Sequence, residues 1–412
     1  MTQAALSLPD KPAALLAGIL DASQRGDDPY PWYHRLRALE PVHATDAFST
    51  RRSWVLTRFS DVAAVLGNPR LRQDSRAGQI FDVGPAGARF VEMMARTIIY
   101  QNASDHDRIR GMVSRSFTPR AIGLRRAEIA RVVEGLLAEP ARRRSMNLVK
   151  DFAYPLPIHV ICQMLGVPHS DVPRFMTWAH DFARRGDVSV LDPEVIRLGE
   201  EATLGFEDYF TRLGRLRRAN PGDDLLSVIV CAQEGGRSLS DDEVVATCVI
   251  LLQAGHETTA DLMSMGTLAL LRQRDQLELL RRKPDLIRPA VEELIRYDTS
   301  VQISQRVAHE EIRLGSVTVP AGDVFVALNG AANRDPARFP DPDRVDLRRT
   351  DNAHLGFGMG RHVCLGASLA RAELQTALSA VVQRFPGLEL AAEPRWRPTL
   401  FLRGLASLPL RW

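Results

Sequence analysis

Ten residues carry the strongest chemical signal in the chain: Phe357-Gly358-Met359-Gly360-Arg361-His362-Val363-Cys364-Leu365-Gly366. Gly358 and Gly360 let the backbone turn tightly and approach a flat partner closely. Cys364 falls at or just before the N-terminus of a helix whose apolar spacing runs Leu365, Leu369, Ala372, Leu378. Free N–H groups and the positive dipole end favour a thiolate there, and an exposed thiolate is a metal ligand or a nucleophile. A second set is Ala254-Gly255-His256-Glu257-Thr258-Thr259, inside a long apolar stretch. A carboxyl and a hydroxyl in such a helix are costly to bury without a role. Thr258 can bond back to the carbonyl of Ala254, which would leave a local bulge beside Gly255. A zinc helix is excluded, because HExxH needs His at position 260 and Ala260 stands there. Two charged pairs complete the inventory. Glu293 and Arg296, three apart, share one helix face, and His106 and Arg110, four apart, share another.

The elements that must position these groups are mostly helices. Helical spacing covers roughly 104–117, 122–137, 149–165, 171–185, 193–218 and 223–234, with Pro155 and Pro157 near the start of the third. Ser240-Asp241-Asp242-Glu243 is a capping box that opens a long, mostly apolar helix to about Leu271, and apolar residues all round it predict burial. Helices near 273–282 and 285–297 follow. Residues 301–328 alternate as short strands, a Pro- and Asp-rich irregular segment spans 333–350, and the helix after Cys364 runs to about Phe385. Residues 73–95 read as a long loop with a short helix. With no repeat, low-complexity tract or linker, residues 1–412 are expected to form one continuous domain, mainly α with a small β portion.

Composition narrows the classes. The 412 residues are 45% hydrophobic and 25% charged, ordinary for a globular chain. Basic residues number 53 and acidic 50, a net +3 that points to no nucleic-acid partner. Cys162, Cys231, Cys248 and Cys364 are widely spaced with no CxxC, so a reducing cytoplasm is expected rather than a disulfide framework. The apolar stretch Ala13 to Leu20 is too short to span a bilayer, and no membrane association is expected.

The cysteine stretch resembles the haem-binding loop of the cytochrome P450 family, F-G-x-G-x-H-x-C-x-G, at every fixed position. The order of elements extends the resemblance over nearly the whole chain. It implies the P450 fold, haem b as cofactor, and Cys364 as axial ligand to its iron. Ala254 to Thr258 resembles the family's oxygen-binding groove, A-G-x-[D/E]-T, which makes Thr258 the catalytic hydroxyl and Glu257 the acid that delivers protons. Glu293 and Arg296 match the structural E-x-x-R pair, and Arg344, in Pro342-Asp343-Arg344-Val345, is the expected third member. His106 and Arg110, ahead of Phe117-Thr118-Pro119, match the H-x-x-x-R that meets the haem propionates. Arg306, His362 and, more weakly, His354 are further expected propionate partners, while Ala254, Gly255, Phe357, Gly358 and Gly366 are expected against the haem. The chain departs from the pattern at Asn102-Ala103-Ser104-Asp105, where D-P-P-E is common, at Ser300 in place of Pro, and at Val345 in place of Phe. None of these removes a catalytic group.

The resemblance implies a monooxygenase of the soluble bacterial type, a monomer taking electrons from a ferredoxin or flavodoxin-like donor with its reductase. It would hydroxylate or epoxidise a small hydrophobic molecule of polyketide or macrolide type. Terpenoids, aromatic acids and carrier-bound intermediates are alternative substrates. A peroxide-driven haem enzyme and a non-catalytic haem sensor are alternative classes, and neither needs the Glu257-Thr258 pair. The substrate lining is expected from 73–95, 171–190, Leu251 to Ala254, Val301 to Ser304 and Thr399 to Leu402.

Overall fold

The computed structural model describes residues 8–48, 51–73, 84–187, 192–234 and 236–412. They are drawn into two compact units, each assembled from separate stretches of chain.

One unit takes Met1–Arg72, Met265–Cys364 and Pro394–Ala406. At its centre is a five-stranded sheet of β1 (Val42–Thr45), β2 (Ser53–Leu56), β3 (Leu71–Arg72), β4 (Ile303–Ala308) and β5 (Val324–Leu328), in the order β1-β2-β5-β4-β3. Only the β5–β2 pair is parallel. Alternate residues of a strand face opposite ways. Val324, Val326 and Leu328 therefore pack on Leu15, Leu16, Ile19, Tyr33 and Leu36 of the N-terminal helices, while Phe325 and Ala327 pack on Val62, Val65 and Leu66. With both faces covered, every residue of β5 is buried, which is why this stretch reads as a continuous apolar run. The Glu293 helix (Ile287–Tyr297) and the segment leading to Cys364 belong to the same unit.

The other unit takes Gln73–Ser264, Leu365–Glu393 and Ser407–Trp412 and is mostly helical. The expected helices are present as Ala103–Ser114, Arg126–Arg143, Pro155–Met164, Val172–Gly186 and Pro193–Ala219. The third begins differently from expectation: Val149–Ala153 is a π turn, and the α-helix starts only at Pro155. The stretch expected as helix to 234 ends at Cys231, and Gln233–Glu234 pairs with Arg237–Ser238 instead. In 73–95 the expected short helix is Ala88–Arg96, and 74–83 lie outside the described residues. Helices Val172–Gly186 and Pro193–Ala219 pack through Phe175, Trp178, Phe206 and Phe210. Gly205 permits the closeness, since a Cβ there would lie 2.5 Å from the Trp178 ring.

The long helix, Asp241–Arg272, continues from this unit into the first. Its capping box forms as expected: Glu243 N–H donates to Ser240 Oγ at 3.2 Å, and Ser240 N–H donates to Glu243 Oε2 at 2.8 Å. Among the described residues no helix is long and apolar enough to cross a membrane.

Candidate active site

The cysteine loop is shaped by two glycines in the left-handed region, Gly358 at φ 68° and Gly360 at φ 73°. A side chain at Gly360 would also collide, since its Cβ would stand 2.6 Å from the carbonyl oxygen of Leu66. The loop closes where the Cys364 N–H donates to the Phe357 carbonyl at 2.8 Å, and Gly360–His362 forms a short 3-10 turn inside it. Cys364 is left exposed, two residues before Gly366, which stands at the N-cap of the cysteine helix (Ala367–Arg384). The chain's other thiols differ. Cys162 and Cys248 are buried, and burial pushes Cys162 up to about 12 and Cys248 upward as well. Cys231 is exposed, at the C-terminal end of its helix.

Upstream, the loop is keyed to the Glu293 helix. Gly356 packs so closely that a Cβ would lie 2.4 Å from Ile295 Cγ2. His354, expected beside a propionate, has another role: its Nε2 meets Glu292 Oε2 at 3.2 Å and its Nδ1 accepts the Gly356 N–H at 3.1 Å. One ring nitrogen is engaged by Glu292 of the Glu293 helix and the other by the Gly356 N–H of the loop, so His354 ties the loop to that helix.

The Glu293–Arg296 pair is fully buried, with bonds of 2.8 Å from both Arg296 Nε and an Arg296 terminal nitrogen. The expected third member is not Arg344. That side chain is exposed and lies 3.6 Å from Asp275, and Arg344 offers Arg296 only its carbonyl, at 3.2 Å. Arg349 fills the place, donating from Nε to Glu293 Oε2 at 3.1 Å, joined by Asn352 Nδ2 at 3.1 Å. The reason is a turn: Arg349 N–H bonds to the Asp346 carbonyl, and Asp346 N–H bonds to Glu293 Oε1 at 2.9 Å. Arg344 lies before that turn and faces outward.

In the long helix, Thr258 Oγ1 donates to the Ala254 carbonyl at 2.9 Å, the expected back-bond. The expected bulge is absent, and the helix runs unbroken through Gly255. Ala254 is exposed and Thr258 half-buried, so this face of an otherwise buried helix is open. Glu257 is buried, and its Oε1 accepts the Tyr154 hydroxyl at 2.7 Å. The Tyr154 contact has no signature in sequence spacing, because the partners are 103 residues apart.

His106 is buried on helix Ala103–Ser114, which Asn102 caps by accepting the N–H groups of Ser104 and Asp105. The departure from D-P-P-E thus supplies a proper N-cap. His106 Nδ1 lies 3.0 Å from Asp107 Oδ1, and Arg110 follows one turn on. Arg306 is buried on β4 and donates to the Gln305 carbonyl at 2.8 Å. Burial pushes it down to about 10, a shift that an anion beside it would reverse. His362 is half-buried in its 3-10 turn.

These residues fit a haem. In one unit an exposed thiol ends a glycine turn just before a helix and a buried guanidinium favours an anionic neighbour; in the other, a Cβ at Gly255 or Gly366 would meet nothing within 4 Å. Residues 281–399 match the family model Cytochrome P450. The chain is 36% identical over 394 residues to the Polyketide biosynthesis cytochrome P450 PksS of Bacillus subtilis strain 168, covering 93% of this chain and 95% of that one. It is 36% identical over 395 residues to the 6-deoxyerythronolide B hydroxylase of Saccharopolyspora erythraea, covering 93% and 96%. Among solved structures it matches P450BioI in complex with hexadec-9Z-enoic acid ligated acyl carrier protein, with a TM-score of 0.89, 35% identity and coverage of 95% and 99%. The chain belongs to the cytochrome P450 family. It is a haem-iron monooxygenase that takes a small-molecule substrate and electrons from a redox partner.

Proposed function

We propose that the chain is a monooxygenase carrying haem b that hydroxylates or epoxidises a hydrophobic polyketide or macrolide-type secondary metabolite. The observation that carries this reading is the cysteine loop, with Cys364 exposed just before a helix N-terminus, in a chain that resembles PksS and the 6-deoxyerythronolide B hydroxylase over 93% of its length. On this reading residues 1–412 act as one haem-thiolate domain, a monomer in the cytoplasm, with a ferredoxin or flavodoxin-like donor.

Haem, once bound, supplies dioxygen activation, in which one oxygen atom enters the substrate and the other leaves as water. Cys364, as a thiolate, would hold the iron and push electron density toward it. Arg306, His106, Arg110 and His362 would neutralise the propionates, since two carboxylates buried in a protein need cations or donors. Thr258 places a hydroxyl on the open face of the long helix, where it would hold a proton. Glu257, one residue away, would resupply that proton. Val301 to Ser304 and Thr399 to Leu402 would orient the substrate. In support, Gln302 N–H bonds to the Phe401 carbonyl and an isolated bridge joins Val301 to Leu402.

A second substrate class is favoured by one comparison, the resemblance to a P450 solved with an acyl carrier protein. The two are separated by titrating the ferric enzyme with 6-deoxyerythronolide B and with hexadec-9Z-enoic acid, free and carrier-linked, while the Soret band is watched for loss of iron-bound water. A response to the macrolactone alone supports the proposal, and a response only to the carrier-linked acid replaces it. The class itself rests on the reduced, carbon monoxide-bound spectrum, which is expected to show the red-shifted band of thiolate ligation and to lose it in Cys364→Ser. An unchanged band in that variant would remove Cys364 from the iron.

A further inference from the structure

Tyr154 stands where an α-helix cannot begin early. Pro155, which follows it, has no N–H to give, and the turn before it is a π turn closed by the Tyr154 N–H on the Val149 carbonyl at 2.9 Å. A π turn carries one more residue than an α turn, so it changes the direction of the side chain that follows, and such turns are frequent at functional sites. This one is anchored at its start. Asp151 Oδ2 accepts Asn147 N–H at 3.0 Å and an Arg143 terminal nitrogen at 2.9 Å, and Leu148 N–H bonds to the Leu408 carbonyl at 2.9 Å.

The Tyr154 ring thereby meets two consecutive residues of the long helix. His256 packs edge-on against it, with centroids 4.1 Å apart at 78°, and Glu257 Oε1 accepts its hydroxyl at 2.7 Å. Glu257 is only 7% exposed, so its carboxyl needs a donor. Consecutive residues on a helix point about 100° apart. The carboxyl is thus drawn to the Tyr154 side, while the Thr258 hydroxyl is turned back to the Ala254 carbonyl on the open side.

We propose that Tyr154 is a positioning residue for Glu257, a latch that holds the carboxyl in one orientation, so that proton delivery to the Thr258 face requires its release or a bridging water. The inference rests on the reading of Glu257 as proton donor given above. Tyr154 acts through Glu257 and touches neither substrate nor cofactor on this account.

The test uses the haem-loaded full chain as wild type, Tyr154→Phe, Glu257→Leu and the double variant. Ultraviolet resonance Raman difference spectra between wild type and Tyr154→Phe isolate the Tyr154 ring doublet. It is expected to read as a strong proton donor in wild type and to lose that signature in Glu257→Leu. In urea, Tyr154→Phe is expected to raise the unfolding constant about tenfold when Glu257 is present and less than about twofold when Leu replaces it. The reading that a purely structural role would leave unmoved is the solvent isotope effect on substrate-free NADPH oxidation through a surrogate ferredoxin pair. Tyr154→Phe and Glu257→Leu are expected to change it alike, with no further change in the double variant. An unaltered doublet in Glu257→Leu, an additive urea cycle, or an isotope effect untouched by Tyr154→Phe would each overturn the latch. If Tyr154→Phe does not fold, the doublet compared between wild type and Glu257→Leu still decides. The carbon monoxide spectrum keeps the two failures apart: a thiolate-type band with a failed latch leaves the monooxygenase reading standing, and a blue-shifted wild-type band removes that reading instead.

Discussion

Glu293 and Glu257 are both buried glutamates on helices, and they are held in different ways. Glu293 has no exposure and gathers five donors: two nitrogens of Arg296, Nε of Arg349, Nδ2 of Asn352 and the N–H of Asp346. Arg296 in turn reaches the carbonyls of Asn333, Pro342 and Arg344, so the pair ties the Glu293 helix to the irregular segment before the cysteine loop. Glu257 accepts the hydroxyl of Tyr154, and its neighbour Thr258 donates back to its own helix and sits on an open face. The difference separates a carboxyl saturated by the fold from the one proposed above to move a proton. The first is saturated by charged, amide and backbone donors, and removing an arginine from the set leaves a buried charge less compensated. The second counts among its contacts the hydroxyl of Tyr154, a donor that carries no formal charge of its own to strand.

The largest expected effect follows from that contrast. Glu293→Gln leaves Arg296 and Arg349 facing a neutral amide in a buried node, a cost of about 3–5 kcal/mol. It is expected to yield little or no folded haem protein, read by thermal unfolding and by the carbon monoxide spectrum. Glu257→Gln keeps an acceptor for Tyr154 and is expected to cost about 1 kcal/mol. Equal destabilisation by the two changes would break the comparison.

Thr258→Ala sharpens the other side. Deleting the hydroxyl removes a bond to the residue's own helix and inserts a better helix former, so stability is expected to stay within about 0.5 kcal/mol. The proton-transfer step is expected to slow by about 10²-fold, seen as peroxide released in place of oxygenated product. A variant that loses fold and function together would make Thr258 structural.

A third pair of variants probes the node itself. Arg349→Ala is expected to cost about 2 kcal/mol, because Arg349 contacts a fully buried carboxylate, whereas Arg344→Ala removes an exposed pair at 3.6 Å and is expected to cost about 0.5 kcal/mol or less. Urea midpoints that rank the two the other way would restore Arg344 to the node.

That reversal marks what was legible in the chain. The cysteine loop was readable because its chemistry is local: glycines with positive φ, a short turn and a helix start all lie within ten residues. The back-bond of Thr258 and the capping box at Ser240 were readable for the same reason, being contacts between residues three or four apart. Arg349 was missed because the segment from Asn333 onward has no period, and only the turn at Asp346 decides which arginine faces inward. His354 was read as a propionate partner because a histidine near a cofactor loop invites that role, and its engagement by Glu292 and Gly356 emerges only in three dimensions. Tyr154 and Gly356 belong to the same class. One is a contact across 103 residues and the other a close approach to Ile295, and neither leaves a trace in spacing.

A third buried glutamate extends the comparison to pH. Glu373, on the cysteine helix, is 1% exposed, and its Oε2 has no hydrogen-bond partner among the described residues. Burial raises its carboxyl well above the ordinary 4.5. The folded protein therefore keeps this proton at pH values where the unfolded chain has released it. Wherever the native state binds more protons than the unfolded state, stability falls as pH rises. Glu373 thus weighs nothing against the fold below about pH 4.5 and progressively more above it, until its raised folded pKa is passed. Glu373→Gln removes the ionisation and keeps the shape. The melting temperature of the variant is expected to exceed wild type at pH 8, with the gain shrinking toward pH 4.5. Parallel melting curves for the two proteins across that range would mean that Glu373 is ionised in the fold and has found a partner, which would place it with Glu293 rather than apart from it.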